Sequence, residues 1–233
     1  LLRADLNVPM KEGKVTDATR IQRFIPTLQY MHKAGAIVIV TSHLGRPKGK
    51  FNVAMSLKQV ADSLAQLSNL RVEFIGESVG QETVAITKGM KAGNVALLEN
   101  LRFYLEEEAN DSEFAEQLAA HAEIYVNDSF SAAHRAHAST DAICKFLPAY
   151  AGPSMVAELE ALQAALGDPK RPVAALVGGA KVSSKIDVLH HLVPRMDKLI
   201  IGGGMANTFL LAQGMNIGKS LAEADLVLSL IHI

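Results

Sequence analysis

Four arginines and three histidines stand where they could gather around one small anion. Arg20 opens the first helical stretch. Arg46, Arg102, Arg135, His43, His134 and His137 lie in short polar segments: Ser42-His43-Leu44-Gly45-Arg46-Pro47, Glu99-Asn100-Leu101-Arg102, and His134-Arg135-Ala136-His137 after Asn127-Asp128. Asp5-Leu6-Asn7-Val8-Pro9 is a further segment of this kind. A guanidinium is a planar fork of donors that fits phosphate or carboxylate oxygens, so the set suits a compact polyanion. Taken singly, each arginine is better explained as ordinary surface charge. The shared setting, four strand ends, is what argues for a site. His43, beside Arg46, reads as a donor that positions the anion. His134 and His137, three apart, could share a helix face and bind a metal, but no third ligand or H-E-x-x-H pattern accompanies them. His32, His121, His190 and His191 read as surface or helix residues, Glu106-Glu107-Glu108 as a solvated loop or helix entry, and Cys144 as a small buried side chain.

A second chemistry lies in Gly178-Gly179-Ala180-Lys181-Val182-Ser183-Ser184-Lys185 and in Gly202-Gly203-Gly204. Small residues at strand-to-helix turns let backbone N–H groups approach phosphate oxygens, and Lys181 and Lys185 add positive potential. Neither turn has Walker A spacing or the G-x-G-x-x-G fingerprint. The same glycines also fit close strand-to-helix packing with no ligand; the paired lysines favour a nucleotide site.

The elements that must present these residues alternate. Ile21, Phe24, Ile25, Leu28 and Met31 keep helical spacing up to Gly35, and Ala36 to Val40 is a β-branched run. Helix, strand, helix, strand follow through Leu57 to Leu67, Leu70 to Phe74, Glu82 to Met90 and Val95 to Leu98, then Ser112 to Ala120 and Glu123 to Val126. Strict alternation implies βαβ crossovers and a parallel sheet with both faces covered, whose ligands bind beyond the carboxyl ends of the strands. Near Pro148, Gly152 and Pro153 the rhythm breaks. A lone apolar stripe, Met155 to Leu166, then precedes a second series: strand Val173 to Val177, helix Ser183 to Leu192, strand Lys198 to Ile201 and helix Ala206 to Gln213.

Composition excludes several classes. With 49% hydrophobic and 20% charged residues in 233, the chain is not a disordered tail. A net charge of −1 argues against a nucleic-acid binder. One cysteine excludes an internal disulfide and a cysteine-based zinc site, and no apolar run reaches the length of a membrane span. The expectation is a cytoplasmic protein.

These strings together resemble phosphoglycerate kinase of the bacterial type. Arg3-Ala4-Asp5-Leu6-Asn7-Val8-Pro9, Ser42 to Pro47, Leu98-Glu99-Asn100-Leu101-Arg102-Phe103, Ala133-His134-Arg135-Ala136-His137-Ala138-Ser139, Gly178 to Ser183 and Gly202-Gly203-Gly204-Met205-Ala206 occur in the family's order over residues 1 to about 227. The resemblance implies an α/β protein with two Rossmann-like three-layer domains and parallel sheets. Residues 1–152 would be a 3-phosphoglycerate domain with its first strand cut, 153–167 an interdomain hinge helix, and 168–233 the start of an incomplete nucleotide domain.

It further implies a 3-phosphoglycerate site of Asp5, Asn7, Arg20, His43, Arg46, Arg102 and Arg135, and a nucleotide site of Gly179, Ala180, Lys181, Lys185 and Gly203. Arg20 and Lys185 would neutralise the transferring phosphoryl group. The partners would be 3-phosphoglycerate, 1,3-bisphosphoglycerate and ADP or ATP with Mg2+, in a monomer whose domains close over the substrates. Two departures stand out. Asp128-Ser129-Phe130-Ser131-Ala132 lacks a glycine found in many members, and Leu228 to Ile233 looks foreign. Three readings follow: a kinase represented by part of its chain, a non-catalytic 3-phosphoglycerate-binding module, and a doubly wound oxidoreductase, which the missing Rossmann fingerprint disfavours.

Overall fold

A computed structural model describes residues 1–230 and divides the chain into two compact units, Leu1–Leu159 and the part from Glu160 onward. In the first unit the apolar runs form β1 (Leu2–Arg3), β4 (Val38–Thr41), β5 (Val72–Ile75), β6 (Val95–Leu98), β7 (Tyr125–Asn127) and β8 (Ala149–Ala151). A small antiparallel hairpin, β2 (Met10–Lys11) and β3 (Lys14–Val15), leads out of the loop after β1. The six strands pair in parallel in the order β5-β6-β4-β1-β7-β8. The chain therefore builds outward from β1 through β4, then returns past it to β7. The crevice at the carboxyl ends beside β1 is the topological switch point, where ligands of such sheets bind.

Alternation along the strands explains the three layers. Val38, Val40, Val95 and Leu97 face one core with Ile21, Phe24 and Leu28 of α1 (Thr19–Lys33) and Val60, Ala61 and Leu64 of α2 (Lys58–Ser68). Ile39, Ala96 and Leu98 face the other, with Phe114, Ala115 and Leu118 of α5 (Ser112–Ala119). Both faces are buried, which is why these strands read as unbroken apolar runs. Shorter or connecting helices are α3 (Gln81–Lys88), α4 (Leu105–Glu108), α6 (Phe130–Ala133) and α7 (Pro153–Leu166); the boundary between units falls inside α7.

The second unit contains β9 (Ala174–Gly178) and β10 (Lys198–Gly202), paired in parallel, with α8 (Ile186–Leu192), α9 (Met205–Ala212) and α10 (Val227–Leu230). Val177, Leu199 and Ile201 pack against buried Val182, Leu189 and Met205. Leu176 and Ile200, directly paired across the two strands, point the other way and are 75% and 53% exposed. The tail expected to be foreign is helical to Leu230, which is buried in this core; residues 231–233 lie outside the described residues.

Several expectations are corrected. The hairpin escaped the sequence reading because its turn, Glu12 and Gly13 with φ 50° and 73°, lacks the Asn-Gly signal. Ala149–Ala151, where the rhythm breaks and no element was expected, is the edge strand beside β7. The helix expected from Ser183 begins at Ile186. His134 and His137 do not share a helix, because α6 stops at Ala133. His121 is buried, its ring between the Thr87 hydroxyl at 2.9 Å and the Ser78 carbonyl at 3.1 Å. Glu107 is buried rather than solvated, whereas Cys144 is exposed rather than buried.

Candidate functional site

The loops beyond the carboxyl ends of β1, β4, β6 and β7 meet in one basin of the first unit. Asp5 follows β1, and both its carboxylate oxygens accept from Nη1 of Arg20, at 2.6 and 2.8 Å. Ser131, in α6 after β7, donates to the same carboxylate at 2.7 Å. The Arg20 side chain is nevertheless 46% exposed, so its remaining donors face solvent. The Asn7 side-chain oxygen accepts from the Gly45 N–H at 2.9 Å, and the Gly45 carbonyl accepts from Arg102 Nη1 at 3.1 Å. Gly45, at φ 65°, thus joins the loops after β1, β4 and β6.

Beneath this rim lies a buried basic set. Arg3, 1% exposed, donates from Nη2 to His43 Nδ1 at 2.9 Å, from Nε to Ser139 Oγ at 3.0 Å and from Nη1 to the Ala4 carbonyl at 2.7 Å. An arginine can only donate, so Nδ1 of His43 must accept and the ring proton sits on Nε2. Burial, then Arg3, Arg102 and Arg135, push the His43 pKa down to about 2, so the ring is neutral at working pH. His43 is thus a neutral donor rather than an imidazolium. Burial also lowers the pKa of Arg102, and it lowers that of His137 despite Glu107 at 3.9 Å. Arg135 is partly buried beside His134, Nε to Nε2 3.4 Å. Arg46 is exposed and has no hydrogen-bond partner among the described residues.

The neutral His43 has a measurable consequence. Its folded pKa lies below its ordinary value of 6.5, so the unfolded chain takes up a proton that the folded chain refuses as pH falls. The stabilising difference is present above pH 6.5 and declines below it, by up to about 1.4 kcal/mol per pH unit. Urea titrations at pH 7 and pH 5 should show the first unit losing stability at the lower pH, and a His43→Gln variant should lose less. Equal losses in both chains would show that His43 is not the titrating group.

The second unit presents the glycine turns differently. Gly203 has φ 70°, and a Cβ there would lie 2.8 Å from the Gly179 carbonyl oxygen; a Cβ on Gly204 would lie 3.1 Å from that of Ala180. The Met205 N–H also donates to the Gly179 carbonyl at 2.8 Å. The two turns therefore pack backbone to backbone, which accounts for Gly203 and Gly204 by close approach alone. Lys181 is exposed and Lys185 half-buried, and neither forms an ion pair among the described residues. The N–H and hydroxyl of Ser183 donate to the two oxygens of Glu223 at 2.9 and 2.6 Å. That hydrogen bonding holds the Glu223 carboxyl below its usual range, and an acidic side chain therefore sits at the end of the lysine-bearing turn.

Against known proteins, the family model for phosphoglycerate kinase matches residues 1–232. The chain belongs to this family. Phosphoglycerate kinases from Rhizobium meliloti and Chelativorans are 55% and 56% identical over 226 residues, covering 97% of the chain and 57% of each relative. Among solved structures, phosphoglycerate kinase from Coxiella burnetii aligns with TM-score 0.88 at 43% identity, covering 99% of the chain and 58% of that protein. The enzyme from Pyrococcus horikoshii aligns with TM-score 0.81 at 34% identity, covering 93% and 55%. The chain thus spans somewhat more than half the length of the phosphoglycerate kinases it matches.

Of the residues that resemblance to phosphoglycerate kinase implied for 3-phosphoglycerate, Asp5 and Arg20 bond each other directly, and Asn7 and Arg102 meet through Gly45. Sequence reasoning gave no role to Arg3 or Ser139, left Asn100 as one member of a polar segment and misread Glu107 as solvated. The one signal was Arg3, a charge inside an otherwise apolar strand opening, Leu1-Leu2-Arg3-Ala4.

Proposed function

We propose that the first unit holds 3-phosphoglycerate and that the whole protein is a phosphoglycerate kinase, transferring a phosphoryl group reversibly between 1,3-bisphosphoglycerate and ADP. The observation that carries this reading is the convergence of Arg3, Arg20, Arg102 and Arg135 with neutral His43 at the switch point of the sheet. A phosphate and a carboxylate on a three-carbon acid match several guanidinium forks and one neutral N–H donor.

In the direction of ATP consumption the acceptor is a carboxylate, ionised at neutral pH because its ordinary pKa is about 4. No general base is needed. The chain's residues then have two tasks, orienting the acid and offsetting charge on the transferring group. Arg20, pinned by Asp5 yet exposing its other donors, suits the second task within the first unit, and Lys185 is its counterpart in the nucleotide unit. Gly179, Ala180, Lys181 and Gly203 complete that nucleotide reading, with Glu223 a competitor for the Ser183 donors. Magnesium would arrive with the nucleotide as substrate. Among the described residues no three His, Cys, Asp or Glu side chains converge to hold a metal. No helix among the described residues is long and apolar enough to cross a membrane; a cytoplasmic location is part of the proposal. A monomer is part of the same proposal.

Calorimetric titration of the chain with 3-phosphoglycerate tests the reading. Arg102→Ala should weaken binding by about 10- to 100-fold, the range of one or two charge-assisted hydrogen bonds, whereas Arg20→Ala should depress turnover of the whole enzyme more than it weakens binding. No heat from the unmodified chain at millimolar ligand would sink the proposal. A second reading is a module that binds 3-phosphoglycerate without completing transfer. Binding without ATP formation from 1,3-bisphosphoglycerate and magnesium-ADP would select it.

A further inference from the structure

Behind His43 runs a chain of buried polar groups. Glu107, 1% exposed, accepts from Ser139 twice: from the backbone N–H at 2.9 Å and from the hydroxyl at 2.6 Å. Because the hydroxyl spends its proton on Glu107, its lone pairs face Arg3, whose Nε donates to Ser139 Oγ at 3.0 Å. Tyr125 secures the same residue from below, donating to the Ser139 carbonyl at 2.6 Å. Arg3 is then fixed on three sides, and its Nη2 meets His43 Nδ1.

We infer that Glu107 and Ser139 are positioning residues that orient Arg3 and thereby set the tautomer of His43. The direction of each hydrogen bond follows from the one before. A carboxylate can only accept, so the Ser139 hydroxyl donates to it. That hydroxyl then accepts from Arg3, and Arg3 donates to the imidazole Nδ1, leaving Nε2–H as the one donor on the ring. The arrangement also explains how an arginine can be almost fully buried without touching a carboxylate. Its charge is balanced across one hydroxyl by Glu107, and hydroxyl-bridged pairs of this kind strengthen in a low-dielectric interior. The same balance explains why Glu107, in a run of three acidic residues, is the one turned inward.

The inference rests on the proposed 3-phosphoglycerate site only for its effect on binding; the tautomer itself is independent of any ligand. The test is nitrogen-15 NMR of the histidine ring in the 233-residue chain, unmodified and as Ser139→Ala and Glu107→Gln. In the unmodified chain His43 should show one form, with Nδ1 bare and Nε2 protonated. In each folded variant the two nitrogens should shift toward averaged positions, and affinity for 3-phosphoglycerate should fall about tenfold, the scale of one hydrogen bond to a charged group. Glu107→Gln keeps the size of the side chain and an acceptor for the Ser139 N–H, so it guards against loss of the fold in the alanine variant. A single Nε2–H form retained in both folded variants overturns the inference. If the tautomer changes as expected while no chain binds 3-phosphoglycerate, the positioning role stands and the ligand assignment fails.

Discussion

Replacing Asp128 by alanine should cost the first unit about 3–5 kcal/mol, the sum expected for a helix cap and hydrogen bonds to a charged group. The carboxylate is 5% exposed and accepts from the Ser154 N–H at 2.7 Å, the Met155 N–H at 3.3 Å, the Ser154 hydroxyl at 3.0 Å and the Thr27 hydroxyl at 2.8 Å. Those donors belong to the first turn of α7 and to the buried face of α1, so one side chain caps one helix and ties down another. Space around it is filled as well: a Cβ on Gly152 would lie 2.5 Å from Asp128 Oδ1. Asp128→Asn keeps an oxygen for the two N–H donors, and the Thr27 hydroxyl can turn to accept, so its cost should be nearer 1–2 kcal/mol. Urea unfolding followed by circular dichroism orders the two variants. A loss below about 1 kcal/mol for the alanine variant would show that capping does not hold this junction.

A second large effect is expected at Asn100, whose side chain is fully buried and uses both ends. Its amide nitrogen donates to the carbonyls of Leu44 at 2.8 Å and Met55 at 2.9 Å, while its oxygen accepts from the N–H groups of Leu44 and Arg102, each at 3.1 Å. It therefore binds the loop after β4 to the loop after β6. Asn100→Asp turns an oxygen toward two carbonyl oxygens. Ionised, the group is buried and repelled; protonated, it supplies one donor where two are needed. The expected cost at pH 7 is about 3–5 kcal/mol, more than that of Asn100→Ala. The environment raises the folded-state pKa of such a carboxyl, so the penalty grows with pH and shrinks as pH falls toward its ordinary value of about 4. Stability measured at pH 7 and pH 4.5 should show the gap between the aspartate and alanine variants closing. A gap that does not change with pH would mean that the new side chain escapes to solvent.

How much of this was legible in the sequence depends on how far apart the partners lie. Val38 to Val40 and Val95 to Leu98 announced strands because local composition decides a doubly covered parallel strand. Most of the rim residues announced themselves because they follow such a strand, and Arg20 because it opens the first helix. Arg3 did not, since what makes it structural is His43 and Ser139, 40 and 136 positions away. His121 was misread for the same reason, its partners Thr87 and Ser78 lying 34 and 43 positions off. Glu107 looked like its neighbours Glu106 and Glu108 until Ser139 was brought beside it. The glycine turns were read correctly as turns, but their tight packing on each other could not be weighed against a ligand before the two strands were paired.

The bare side of the β9–β10 pair, with Leu176 and Ile200 in water, bears on how the chain exchanges its amide protons. Separating two strands that are covered on one side exposes little additional apolar surface, so their amides should trade with deuterium through an opening that leaves the six-stranded sheet closed. The two units would then protect their backbone on different timescales. Unfolding curves for this chain should then carry two transitions, and the free energy of the first unit is the one taken from its own transition.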